Sequence, residues 1–185
     1  EFSSDSEFLA VGLSDGRIAV WEAGDLYADH IDYFELKEGK VGLINSINFS
    51  ADDKYLVAGA SDKKIYVWSI ASKKVYKTLE DHTGAIVDAF FLPDGNTLVS
   101  ASHDGSVRVW NTNDWDSTEL DFPNIDSSID RSIQDLSITS IALSTDESIL
   151  AVARKWNIKI SKCCDSLDMS YTVTNRYSDI HFFET

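Results

Sequence analysis

The sequence predicts an all-β chain of repeated antiparallel sheets, and three observations predict it. One phrase recurs four times within 185 residues. Inside each copy, short runs alternate apolar and polar residues with the period of a strand. No stretch of useful length carries the 3.6-residue period of a helix.

Self-similarity sets the organisation. Four segments align: Phe2-Ser-Ser-Asp5 to Trp21, Phe49-Ser-Ala-Asp52 to Trp68, Phe91-Leu-Pro-Asp94 to Trp110, and Leu143-Ser-Thr-Asp146 to Ser161. The first three hold a Phe-to-Trp spacing of 19, and the fourth is one residue shorter. Each has an Asp three residues after its start and a Leu seven after it: Leu9, Leu56, Leu98 and Leu150. The Trp-to-Trp steps are 47 and 42 residues.

Each unit reads as four short strands. Ahead of the aligned Phe, Ile44 to Phe49 and Ile86 to Phe91 are apolar runs, and Ser178 to Phe183 begins the same phrase again. Leu9-Ala-Val, Leu56-Val-Ala and Leu98-Val-Ser follow, apolar on both sides as a central, buried strand requires. Ser14-Asp15-Gly16, Ser61-Asp62-Lys63 and His103-Asp104-Gly105 carry the chemistry of tight hairpin turns. Beyond them Ile18 to Trp21, Ile65 to Trp68, Val107 to Trp110 and Ile158 to Ser161 alternate with period two. A more polar strand such as Lys74 to Leu79 closes the unit, as suits an outer edge.

These residues resemble the WD-repeat (WD40) family, and the resemblance covers nearly the whole chain. The third repeat carries it best: His82, Ser100, Asp104 and Trp110 stand at the spacings of the family's structural hydrogen-bond network. The second repeat has Lys40 and Ala58 at the His and Ser positions, the first has Val11 at the Ser position, and the fourth has lost Asp and Trp. The repeats end in Trp21-Glu, Trp68-Ser and Trp110-Asn, while Trp115-Asp116 lies outside the register. The fold implied is a β-propeller with blades of four antiparallel strands around a channel. Its expected blades are 1–40, 41–80, 81–125 and 126–178, with a further one starting at 179–185. Four blades are about half of a ring of about seven, so the chain reads as a piece of a longer protein. The remaining blades come from the same or another polypeptide.

Composition narrows the functional classes. A hydrophobic share of 43% supports a packed core. No apolar run is long enough to span a membrane as a helix. Sixteen Lys and Arg against 31 Asp and Glu leave a net charge of −15, which repels phosphate backbones and anionic membranes and favours basic or mixed-charge partners. Direct nucleic-acid binding is disfavoured further because the basic residues gather only in short pairs, among them Lys63-Lys64 and Lys73-Lys74. The only cysteines, Cys163 and Cys164, are adjacent and poorly placed to bridge, which points to a reducing compartment, cytosol or nucleus.

Catalytic patterns do not assemble. Gly12-Leu-Ser14-Asp-Gly16 matches the G-x-S-x-G nucleophile elbow, but that elbow needs a helix after it and Arg17 to Glu22 alternates as a strand. His30, His103 and His181 are scattered without metal-ligand spacing, and no phosphate-binding glycine loop exists. No cofactor and no enzymatic activity are expected.

Two surfaces are candidates for binding. Residues 111–138 hold Asp114, Asp116, Glu119, Asp121, Asp126, Asp130 and Asp135 against Arg131 alone, an acidic insert suited to a basic partner. Within it Ser127, with Asp130 three residues on, resembles an acidophilic kinase site. The other is the rim that the resemblance implies, at Ser14, Val41, Leu43, Ser61, Thr83, Ala85 and His103, with Arg154 or Lys155 in the fourth repeat. The expected function is a non-catalytic scaffold mediating protein–protein contacts in a multiprotein complex. A substrate-recognition subunit of a ubiquitin ligase, or a module of RNA-processing or chromatin complexes, fits the same resemblance.

Overall fold

Alternating strands separated by short Asp- and Gly-bearing turns pair with their chain neighbours, and antiparallel sheets result. In a computed structural model, which describes residues 1–22, 24, 32–34, 42–120, 137–144, 149–154, 157–162 and 170–173, four such sheets form. The first holds β1 (Phe8–Gly12), β2 (Ile18–Glu22) and β3 (Asp32–Phe34). The second holds β4 (Ile44–Phe49), β5 (Tyr55–Ala60), β6 (Ile65–Ser69) and β7 (Lys74–Leu79), and the third β8 (Ile86–Phe91), β9 (Thr97–Ser102), β10 (Val107–Asn111) and β11 (Ser117–Glu119). The fourth comprises β12 (Ile138–Leu143), β13 (Ile149–Arg154), β14 (Asn157–Lys162) and β15 (Ser170–Val173). In every sheet, space follows sequence order.

The chain divides into two compact units, Glu1–Leu120 and Asp121–Thr185. In the first, sheets stack through apolar faces. Ala10, Ile18, Val20 and Phe34 of the first sheet meet Leu56, Ala58, Ala60, Tyr66 and Trp68 of the second. The opposite face of the second, with Val57, Ile65, Val67 and Leu79, meets Ile86, Ala89, Leu98 and Trp110 of the third. β5 and β8 approach closely because Gly59 has no side chain: a Cβ there would run into Ile86. Asn45 and Asn48 on β4 donate across to the Ile86 and Ala89 carbonyls at 2.6 and 2.8 Å. In the second unit, Ile138, Ile141, Leu150 and Val152 are buried.

The recurring Asp of the aligned phrase is a turn former. Asp5, Asp52 and Asp94 each accept backbone N–H groups two residues on, from Glu7, Lys54 and Asn96, at 2.8 to 3.2 Å. The residue after each is left-handed: Ser6, Asp53 and Gly95 have φ of 61°, 52° and 70°. The Lys54 side chain donating to Asp52 lowers that carboxyl to about 2.

Two expectations change on the structure. The acidic stretch 111–138 is not all loop: Ser117–Glu119 is the edge strand β11, held to β10 where Arg108 donates to Ser117 and Glu119 at 3.0 and 3.4 Å. The strand at Leu9 is not buried like its counterparts, since Leu9 and Trp21 are half-buried and Val11 is 38% exposed. Val41, Ser127, Lys155, His30, His181, both cysteines, the Lys40 position, the acidic residues from 121 to 136, and the phrase at 178–183 lie outside the described residues. The Gly12–Gly16 motif is a hairpin turn, closed by Leu13 N to Arg17 O at 2.8 Å with Gly16 left-handed, and no helix follows.

That hairpin turn asks for a positive φ in the first three repeats. Gly16 and Gly105 meet it at 86° and 88°, but Lys63 is held at 76°. A left-handed non-glycine residue costs about 1–2 kcal/mol, of which glycine's extra chain entropy takes back about 0.5–1 kcal/mol. Lys63→Gly is therefore expected to raise stability by up to about 1 kcal/mol. Urea denaturation checks this, and an unchanged or lower midpoint contradicts it.

Candidate functional site

The third sheet brings His82, Ser100, Asp104 and Trp110 into one chain of hydrogen bonds. The β9 strand places Ser100 opposite β10, where Trp110 Nε1 donates to Ser100 Oγ at 2.8 Å. His82 Nε2 lies 2.8 Å from the same oxygen, and His82 Nδ1 lies 3.1 Å from Asp104 Oδ2. Because the Asp104 carboxylate can only accept, the neutral imidazole carries its proton on Nδ1, and Nε2 is left to accept from the serine hydroxyl, whose oxygen accepts from the indole. Asp104 also accepts from Thr83 N at 2.7 Å, from Ser106 N at 2.9 Å and from Ser106 Oγ at 2.6 Å.

Electrostatics agree with a neutral imidazole. Burial lowers the His82 pKa, outweighing the attraction of Asp104. Burial alone would raise Asp104, but hydrogen bonds from Ser106 and Thr83, with the influence of His82, hold the carboxyl well below the usual range. The order Asp–His–Ser imitates a nucleophile relay, yet Ser100 is 0% exposed, so no substrate carbonyl can reach it. The network satisfies buried polar groups and ties the loop at His82 to the hairpin turn at Asp104.

The other sheets diverge in a way that shows what each member does. Ala58 stands where Ser100 does, and Trp68 Nε1 is buried with no partner among the described residues. Asp62 instead accepts from the Tyr66 hydroxyl at 2.8 Å and from Gly42 N at 3.2 Å. Burial, then the bond to Asp62, pushes the Tyr66 hydroxyl well above its usual pKa. The Tyr66–Asp62 pair is thus a local substitute that repeat spacing does not reveal; the tyrosine two residues before Trp68 was its only sequence signal. In the first sheet, Asp15 is exposed and among the described residues is bound only by Arg17, whose guanidinium lies 4.7 Å over the Tyr33 ring.

Hydrogen bonds between the loop before the second or third sheet and that sheet's hairpin turn position the rim residues. Ser61 N donates to Leu43 O at 2.9 Å, Leu43 N to Ser61 Oγ at 2.8 Å, and His103 N to Ala85 O at 2.9 Å. Ser14, Ser61, Thr83 and His103 are exposed and Ala85 is half-buried, while Leu43 is 54% exposed. Of the fourth-repeat pair only Arg154 is described, as the last residue of β13. Among the described residues no group of three or more His, Cys, Asp or Glu could hold a metal ion.

Sheets of sequential antiparallel strands, stacked face to face and pinned by such a network, define a propeller of repeated blades. The family model "WD domain, G-beta repeat" matches residues 1–22, 34–69 and 73–111, just over half of the chain, and the chain belongs to this WD40 family. Its fold is similar to the crystal structure of the RRP9 WD40 repeats, with a TM-score of 0.74 and 22% identity over 94% of this chain. The match takes in 49% of that chain, so this one spans about half the length of that propeller.

Acidification should expose the network's contribution. Because folding lowers the His82 pKa, the unfolded chain takes up a proton as pH falls through 6.5 while the folded chain does not, so stability drops. Asp88, raised by burial, acts oppositely at lower pH, where the folded state holds the proton more tightly. Urea midpoints are therefore expected to be lower at pH 5.5 than at pH 7. At pH 7, Asp104→Ala should cost about 1–3 kcal/mol by leaving buried partners unsatisfied, and more than Asp15→Ala. Equal small shifts for the two variants would show that the network carries no weight.

Proposed function

We propose that this chain is part of a non-catalytic WD40 scaffold whose rim face binds protein segments within a multiprotein complex. WD40 propellers generally bind proteins. The observation that carries the reading is Leu43: more than half exposed, yet with its backbone pinned by two hydrogen bonds to Ser61. An apolar side chain on a backbone already fixed costs less ordering entropy to bury in an interface than one on a mobile loop. Thr83 and His103 add donors and acceptors on loops that the Asp104 network fixes.

Charge supplies the partner's character. At −15 the chain attracts basic or mixed-charge segments over a range of about 8 Å at physiological salt. The cysteine pattern supports action in the cytosol or nucleus.

Affinity capture from cell extract, with the unaltered chain and a Leu43→Glu/His103→Glu variant compared by quantitative mass spectrometry, tests this reading. The variant is expected to lose specific proteins while its stability stays within about 0.5 kcal/mol, as for surface substitutions. Captured proteins that persist on this variant, and leave only when Asp126 and Asp130 are neutralised, would move the site to the acidic insert.

A further inference from the structure

The second sheet carries a feature that neither the rim nor blade stacking uses. β7 pairs with β6 through a register shift: Lys77 faces Val67 and Val75 faces Trp68, leaving Tyr76 unmatched. A bulge of this kind re-aims a side chain. Tyr76 is 56% exposed, with its ring 5.1 Å from that of Tyr55 and 6.2 Å from that of Trp115.

Trp115 is held there at a cost. It lies in the turn between β10 and β11 with φ of 66°, the left-handed position that Lys73 occupies at 55° in the sheet before it. Glycine or asparagine fits such a position, whereas a bulky aromatic residue is strained in it. The turn sets the indole against Tyr76 and, like Tyr55 and Phe91, against the buried cluster between the second and third sheets.

Charge is segregated to the same sheet. Residues 54–77 contain six of the 16 basic residues, with Asp62 as their only acidic one. Lys54 is paired with Asp52 and Lys64 with Glu80. Lys74 and Lys77, on either side of Tyr76, have no ion pair among the described residues. The nearby Asp114 and Asp116, on the turn that carries Trp115, line a cleft with Thr97, Val109, Trp110 and Thr118.

We propose that Tyr76, Trp115, Lys74 and Lys77 form a second docking surface, for a short acidic peptide segment with an apolar anchor. The aromatic rings offer a bed of low conformational entropy for the anchor, and the two lysines complement flanking carboxylates. β7 is an edge strand, but its bulge and its lysines blunt main-chain pairing, so recognition runs through side chains. A nucleic acid strand would also stack on Tyr76, yet it carries a charge at every phosphate along its length and meets a chain of −15. A peptide confines its negative charge to the few positions the lysines answer.

Selection from a random peptide-display library, on the whole chain and on a Tyr76→Ser/Lys77→Glu variant, tests the proposal. The unaltered chain is expected to enrich peptides with Asp or Glu flanking an apolar residue, and the variant to lose them. A synthetic peptide of that consensus should bind Lys74→Glu/Lys77→Glu roughly tenfold or more weakly in fluorescence anisotropy. If the serine variant fails to unfold cooperatively, Tyr76→Phe should keep binding and Lys74→Gln/Lys77→Gln should lose it. No enrichment, a basic or uncharged consensus, or peptides shared equally by both forms would overturn the proposal. So would Tyr76-dependent binding of an oligouridylate without acidic-peptide enrichment.

Discussion

The first unit depends on one cross-strand pair, a leucine facing a tryptophan, buried against the sheet before it. Leu56 faces Trp68 and Leu98 faces Trp110, and all four are at most 2% exposed. Burying the leucine alone is worth about 1.5–3 kcal/mol, and the indole adds a larger apolar area. In the first sheet Leu9 faces Trp21, but no described sheet precedes them and both stay half-buried. By register Leu9, Val11, Ala19, Trp21 and Tyr33 share one face, and Val11 and Tyr33 are 38% and 43% exposed.

Burying a tryptophan creates a polar obligation, since its N–H loses water and needs an acceptor. The third sheet meets it with Ser100, and the serine's own proton then needs His82, which in turn needs Asp104. Once one member goes, the rest lose their purpose. Ala58 leaves Trp68 Nε1 without a described acceptor, and Asp62 turns to Tyr66 instead. Apolar stacking keeps both blades alike while their polar networks differ, so the network tunes loop position more than it decides the fold. Loop position is what binding at the rim requires: in the third sheet Asp104 of the network holds Thr83 N, while in the second Ser61 holds Leu43.

Strands inside the repeat were legible because spacing and alternation are set by burial on both faces. β4, β7 and β8 match the sequence reading to the residue. Short outer strands were not: β3 and β11 have three residues each and bury too little to leave an apolar period. The His82 network was legible because all four members stand at characteristic spacings. The Tyr66–Asp62 substitute follows no spacing rule. Tyr76 and Trp115 escaped for a related reason, since a bulge and a left-handed turn residue are backbone events that side-chain periodicity does not encode.

The central claim is that within the first unit each of the first two sheets is held by the Leu–Trp face of the next, so that adjacent blades unfold as one body. Native-state hydrogen exchange on Leu98→Ala, a core truncation worth about 2–5 kcal/mol, tests it most directly. Leu98 belongs to β9 but packs with Val57, Ile65 and Val67 of β5 and β6. The account predicts that amides of β5 and β6 lose protection together with those of β9 and β10. Loss confined to β9 and β10, with β5 and β6 as protected as before, would contradict it.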